Sequence, residues 1–278
     1  VVAAYLGGLP FYKMTGSGND FVMVDRRHRR DEDWSAPDVQ LVCARATGVG
    51  ADGLVLLGPG SQAGAIRMTY YNSDGSAAAM CGNAALCATR LAAHLGLAPA
   101  TGMRLETDAG VYESRSGGAD RAELHLAAIE APRELSGLAI ANGERRAALA
   151  VVGVPHLVVL VDDVDQVAVG DRGRVLRFDP AAGPAGANVN FVSPGANTGQ
   201  WRMRTYERGV EAETLACGTG AVAAACTVDL WKIGTMPAAI VTRTGLTLDV
   251  RARRLPTDEY GDIWLSGEAR IVFRGVLA

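Results

Sequence analysis

The chain has 278 residues, 49% of them hydrophobic, enough for one large or two medium domains with real cores. Its formal net charge of −3 argues against nucleic acid or an anionic membrane as the main partner, and no apolar run approaches the roughly 18 residues of a membrane-spanning helix. Five cysteines, an odd number with no Cys-x-x-Cys pair, exclude a disulfide-stapled or zinc-ribbon domain and point to a reducing, cytoplasmic location.

The apolar start, Val1 to Pro10, carries no basic leader and no cleavage signal. The basic run Arg26 to Arg30 is followed at once by Asp31-Glu32-Asp33 and reads as a solvated turn of mixed charge. Strands are expected at Phe21–Asp25, Gly53–Leu57 and Ile66–Tyr71, then a turn over Asn72–Ser76. An Ala-rich helix follows from about Asn83 to Leu95, with Gly96 as its stop. Further strands are expected near Met103–Thr107, Gly110–Ser114 and Ala122–Leu126, and a boundary in the stretch from Ala128 to Gly143.

The second half repeats this order. Strands are expected at Leu157–Val161, Asn190–Val192 and Trp201–Tyr206, then a turn-rich segment from Glu207 to Glu213. A small-residue helix runs from about Thr219 to Leu230, and strands resume at Ala239–Arg243, Leu246–Val250 and Ile263–Ser266. The domains expected are residues 1–130, joined by the C-terminal strand 267–278, and residues 131–266, forming one body with a cleft between them.

Each half places a Cys-Gly step, Cys81-Gly82 and Cys217-Gly218, just before its small-residue helix. Unpaired N–H groups and the helix dipole favour a thiolate there, and the same groups can hold a carboxylate. Two thiols facing one carbon can take a proton from one face and return it on the other, the chemistry of a cofactor-free racemase or epimerase. Cys43, Cys87 and Cys226 lie among apolar or small residues and read as buried, inert thiols. Gly16-x-Gly18 lacks the rest of a dinucleotide fingerprint.

With its flanking residues the pattern resembles the diaminopimelate epimerase family, from the two-cysteine superfamily that includes proline racemase. Four stretches carry the resemblance: Lys13–Phe21, Asn72–Ser76, Met80–Asn83, and Tyr206–Gly209 leading into Glu213–Gly220. It covers Phe11 to about Gly275. The implied fold is α+β: two similar domains, each a mostly antiparallel, barrel-like sheet wrapped round a central helix. The implied activity is interconversion of LL- and meso-diaminopimelate in bacterial lysine and peptidoglycan synthesis, with no cofactor, no metal and a small amino acid as substrate; a homodimer is left open.

By the same resemblance Cys81 and Cys217 are the acid/base thiols, with His156 and Glu207 orienting the site or setting thiol protonation. Asn19, Asn72, Asn188, Glu207 and Arg208 match substrate-holding positions, and Gly82-Asn83 with Gly218-Thr219 supply backbone donors to the α-carboxylate. The chain departs from the family pattern at Val154, usually Asn, at Leu86, usually Arg, at Ala77-Ala78-Ala79, often acidic, and at Phe273, often a Tyr linked to dimerisation. Val154 and Leu86 motivate the second reading, a related racemase of another amino acid. A non-catalytic thiol redox or ligand-binding protein of the same fold is the third.

Overall fold

The computed structural model describes residues 6–28, 34–118, 120–141 and 143–278. The first residues of the apolar start and most of the charged run at 29–33 therefore lie outside the described residues. Contacts divide the chain into two units: residues up to His125 together with Ser266–Ala278, and Leu126–Leu265.

Four α-helices are described: α1 (Ala36–Cys43), α2 (Gly82–His94), α3 (Val169–Arg177) and α4 (Gly218–Leu230). In the first unit the strand Pro10–Gly16 turns back through Ser17 and Gly18 into Asn19–Asp25. That strand pairs in parallel with Gly53–Pro59, which pairs antiparallel with Ala65–Asn72. Past α2, Met103–Thr107 lies parallel to Ala65–Asn72 and antiparallel to Gly110–Ser116. The C-terminal strand Arg270–Val276 closes against Pro10–Gly16.

The second unit repeats these senses strand for strand. Glu144–Val152 pairs antiparallel with Val154–Val161, which is parallel to Asn188–Pro194, which is antiparallel to Gln200–Glu207. Past α4, Ala238–Val241 lies parallel to Gln200–Glu207 and antiparallel to Thr247–Arg254. Such a register-level repeat is the structural form of the duplicated order in the sequence.

Each unit wraps its strands round one helix. α2 touches all seven strands of its unit just named, and α4 touches the six of its own. Both helices are therefore apolar nearly all round, which only a fully enclosed helix tolerates. Ala and Gly dominate them because close approach of strands on every side leaves no room for larger side chains. α2 stops where Gly96 takes a left-handed φ of +65°, with the N–H of Leu97 reaching the carbonyl of Ala92 at 2.9 Å. α4 ends in the same way, but with Lys232 at φ +58°.

Two expectations need correction. Glu207–Glu213 is not turn throughout: the strand Gln200–Glu207 runs to its end, and Ala212–Thr214 pairs back on it as a hairpin. The strand expected at Ala239–Arg243 stops at Val241, because the turn carrying Thr242 and Thr244 takes over there. No described helix is long and apolar enough to cross a membrane.

α3 docks tightly on the strand that leads to α4. A Cβ at Gly173 would fall 2.4 Å from Tyr206 Cβ, an atom too close to the backbone to swing aside. Gly173→Ala gains about 1 kcal/mol of helix propensity but overpacks a core site at a cost of about 1–3 kcal/mol. The expected net result is destabilisation, read as a lower urea midpoint; a raised midpoint would mean that α3 is not docked this closely.

Candidate active site

In the first unit Cys81 is the N-cap of α2, with extended backbone angles of φ −138° and ψ 121°. Asn83, in the first turn, is buried and donates from Nδ2 to Asn19 Oδ1 at 2.7 Å. Asn19 in turn donates from its own Nδ2 to Asp52 Oδ2 at 2.9 Å. The Oδ1 of Asn83 is buried and has no hydrogen-bond partner among the described residues. Asp52 is held by Arg45 at 2.6 Å, and Arg45 also grips Asp20 at 2.8 Å.

Lys13, buried at 7% exposure, completes the cluster by donating to Asp20 at 2.5 Å and to the Gly50 carbonyl. Burial alone would raise the Asp20 carboxyl, but the Arg45 guanidinium and Lys13 ammonium together hold it below its usual value. Asn72 ends the strand leading towards Cys81, and its Nδ2 donates to Ser76 Oγ at 3.0 Å within the turn.

The second unit repeats the backbone geometry of the helix start, and here the cysteine side chain also caps the helix. Cys217 is the N-cap of α4 at φ −133° and ψ 111°, in the same extended region as Cys81. Its sulfur accepts from the Gly220 N–H at 3.4 Å and lies 3.6 Å from Thr219 Oγ1. Glu207 ends the strand leading towards Cys217, as Asn72 does in the first unit, and burial raises its carboxyl.

Next to it the Arg208 N–H donates to Asn188 Oδ1 at 2.8 Å, which seats the Arg208 backbone beside the site. His156 is the register partner of Asn188 on the adjacent parallel strand and is completely buried. Burial, with a smaller contribution from Arg208, lowers the His156 imidazole to about 3, so the ring is neutral.

The thiols outside these two helix starts behave as spectators. All five cysteines carry thiols rather than disulfides. Burial raises Cys43 to about 11, Cys226 to about 12, and Cys87 well above the ordinary thiol range.

The first unit thus gathers Asn19, Gly82 and Asn83 round Cys81, with Asn72 ending the preceding strand. The second gathers Thr219 and Gly218 round Cys217, with Asn188 and His156 on paired strands and Arg208 in the turn after Gln200–Glu207. Leu86, on α2, is fully buried in the core, whereas Val154 is half-buried beside Gly153 at the hairpin. Sequence reasoning missed Asp52, Asn190 and Thr205. Asn190 donates from Nδ2 to His156 Nδ1 at 3.2 Å and accepts from Thr205 Oγ1 at 3.0 Å. The available signal was the alternation Asn188-Val189-Asn190, which puts both amides on one face of a strand.

The profile of the family described as diaminopimelate epimerase matches residues 11–123 and 148–253. A diaminopimelate epimerase of Gemmatimonas aurantiaca is 45% identical over 277 residues, covering 97% of this chain and 99% of that protein. One from Aquifex aeolicus is 39% identical, covering 97% and 98%. Among solved structures, a PhzF-family phenazine biosynthesis protein of Bacillus anthracis superposes with a TM-score of 0.71 at 15% identity, covering 97% of this chain and 99% of that one. A hydroxyproline epimerase of Agrobacterium vitis superposes at 0.64 and 18% identity, covering 97% and 92%. At those identities the two structures share the fold and nothing finer is carried over.

Proposed function

The chain belongs to the diaminopimelate epimerase family, and from that premise we propose that Cys81 and Cys217 are the acid/base pair that inverts Cα of diaminopimelate. The enzyme is an isomerase that interconverts the LL and meso forms. One observation carries the assignment of the thiols: each unit, through the same order of strand senses, delivers a cysteine to the N-cap of its enclosed helix with matching backbone angles.

The cycle needs only proton transfer between sulfur and carbon. One cysteine, as thiolate, takes the α-proton from one face, and the electron pair left on Cα delocalises into the α-carboxylate. The other cysteine, as thiol, gives its proton to the opposite face. The enzyme is left with the two protonation states exchanged, and solvent exchange or the reverse reaction resets them. Backbone N–H groups at Gly82-Asn83 and Gly218-Thr219 stabilise the growing carboxylate charge without reorganising, the arrangement that contributes most when charge develops in a transition state.

Arg208, seated through Asn188, offers a bidentate fork to the distal carboxylate. Asn19 and Asn72 supply amides to the distal polar groups, and Asn83 Oδ1 is an acceptor in need of a donor such as an ammonium. Burial of Leu86 in the core takes that residue out of recognition, so only Val154 still motivates a different amino acid as substrate.

Turnover of LL-diaminopimelate in deuterated water tests this reading. Early in the reaction the meso product should carry solvent deuterium at the inverted carbon while unreacted substrate keeps its protium, because the group that takes the proton is not the one that returns it. Deuterium entering the substrate pool as fast as product forms would mean a single base. Absence of turnover by folded, reduced protein would move the search to other amino acids.

A further inference from the structure

His156 is fully buried, and its two ring nitrogens are treated differently. Nδ1 lies 3.2 Å from Asn190 Nδ2, whereas Nε2 is buried with no hydrogen-bond partner among the described residues. Asn190 is itself fully buried, and its amide is clamped at its other end. Its Oδ1 accepts from Thr205 Oγ1, the residue directly opposite it on the antiparallel neighbour.

The same Oδ1 lies so close over Gly220 that a Cβ there would stand 2.4 Å away. Flipping the amide would press an NH2 group against that Cα–H surface, while the Thr205 hydroxyl, which can pair with either end of the amide, keeps it anchored there. The oxygen therefore stays on the Gly220 side and the NH2 faces the imidazole. An NH2 group can only donate, so Nδ1 must be the acceptor and the ring proton must sit on Nε2.

We infer that Asn190, clamped by Thr205 and Gly220, is a positioning residue that fixes His156 as a neutral imidazole protonated on Nε2, so that His156 serves the site as a hydrogen-bond donor and not as a base. Gly220 links this clamp to the catalytic end of the helix, because its N–H holds the Cys217 sulfur. The catalytic consequence rests on the epimerase reading above; the tautomer itself does not.

The test reads the two apart. The chain has four histidines, and the His156 ring in 15N-labelled protein is identified by the signals lost in His156→Gln. Long-range proton–nitrogen spectra of substrate-free wild type should show Nδ1 unprotonated and Nε2 protonated; a proton on Nδ1 overturns the inference. In Asn190→Asp, of the same shape, the carboxylate can only accept, so the proton should move to Nδ1. With it kcat should fall about 100-fold, with KM little changed, the size expected when one positioned hydrogen-bond donor is lost from a site where charge develops.

Thr205→Val, which frees the amide to flip, should show both tautomers and an intermediate kcat, and Thr205→Ser should restore both readouts. If Asn190→Asp fails to fold, the two Thr205 variants decide alone. A moved proton with unchanged kcat would overturn the positioning role. The expected tautomer in a wild type that does not turn over diaminopimelate would count against the substrate and for the clamp.

Discussion

Cys81→Ser and Cys217→Ser should each lower kcat/KM for epimerisation by about 1,000-fold or more, roughly 4 kcal/mol of lost transition-state stabilisation, while leaving the fold intact. The helix N-terminus can favour a thiolate, but a serine hydroxyl is too weak an acid to be ionised by the same amides. Serine fits both positions: it is a good N-cap, and at 217 it can still accept from the Gly220 N–H that now holds sulfur. Loss of activity would therefore not come from loss of structure, and unchanged thermal unfolding checks this.

The informative readout is what each variant retains. With one thiol left, a variant can still take a proton from one face and return it to that same face. In deuterated water each should exchange the α-hydrogen of one epimer without inverting it, and the two variants should choose opposite epimers. If both exchanged the same epimer, the thiols would not act on opposite faces, and the two-base assignment would fall.

The parts of this site written in local sequence were legible, and the parts made by strand pairing were not. Both helix starts show as a Cys-Gly step opening a run of small residues, and the expected helices at 83–95 and 219–230 lie within a residue of α2 and α4. Small residues mark these helices because enclosure demands them, so composition and structure share one cause. α3 was invisible for the opposite reason. Gly170 and Gly173 weaken its helical signal, and Gly173 is there to admit Tyr206, a residue more than thirty positions away in sequence.

α1 carried a local signal that went unread, the capping box between Ser35 and Asp38 with Pro37 in the first turn. The His156, Asn190 and Thr205 triplet is the clearest limit. Its members lie on three strands, and the hydrogen bonds exist only in one register of a parallel pair beside an antiparallel one. A one-residue slip would turn Asn190 to the opposite face. Nothing in the neighbouring residues of any one member fixes that register.

The buried imidazole also gives the protein an acid sensitivity that can be traced to one residue. His156 has a folded value near 3 against an ordinary 6.5, with burial as the main cause and the Arg208 charge adding to it. Between these values the unfolded chain binds a proton that the folded chain refuses, so stability falls as pH falls through this window. The contribution is fully present above about pH 6.5. At one proton and about 1.4 kcal/mol per pH unit, acidification from 6.5 to 4 should remove about 3 kcal/mol.

Glu207 works in the opposite direction. Its carboxyl is raised by burial, so the folded state gains relative stability as pH falls and loses it as pH rises through the folded value. Asp20, held low by Arg45 and Lys13 against its burial, destabilises only as pH drops below the ordinary carboxylate value of 3.8, beneath most of the histidine window. A single pH profile would mix these contributions, so the measurement is the difference between two. Urea unfolding of wild type and His156→Gln, at steps from pH 7 to pH 4, leaves Glu207 and Asp20 common to both. The wild-type curve should fall more steeply by about 3 kcal/mol over the range; parallel curves would mean that the ring is charged in the fold or reached by water. A neutral, enclosed His156 that resists protonation at the cost of acid stability is what a fixed hydrogen-bond donor beside the Cys217 helix requires, since protonation would add a second positive charge next to Arg208.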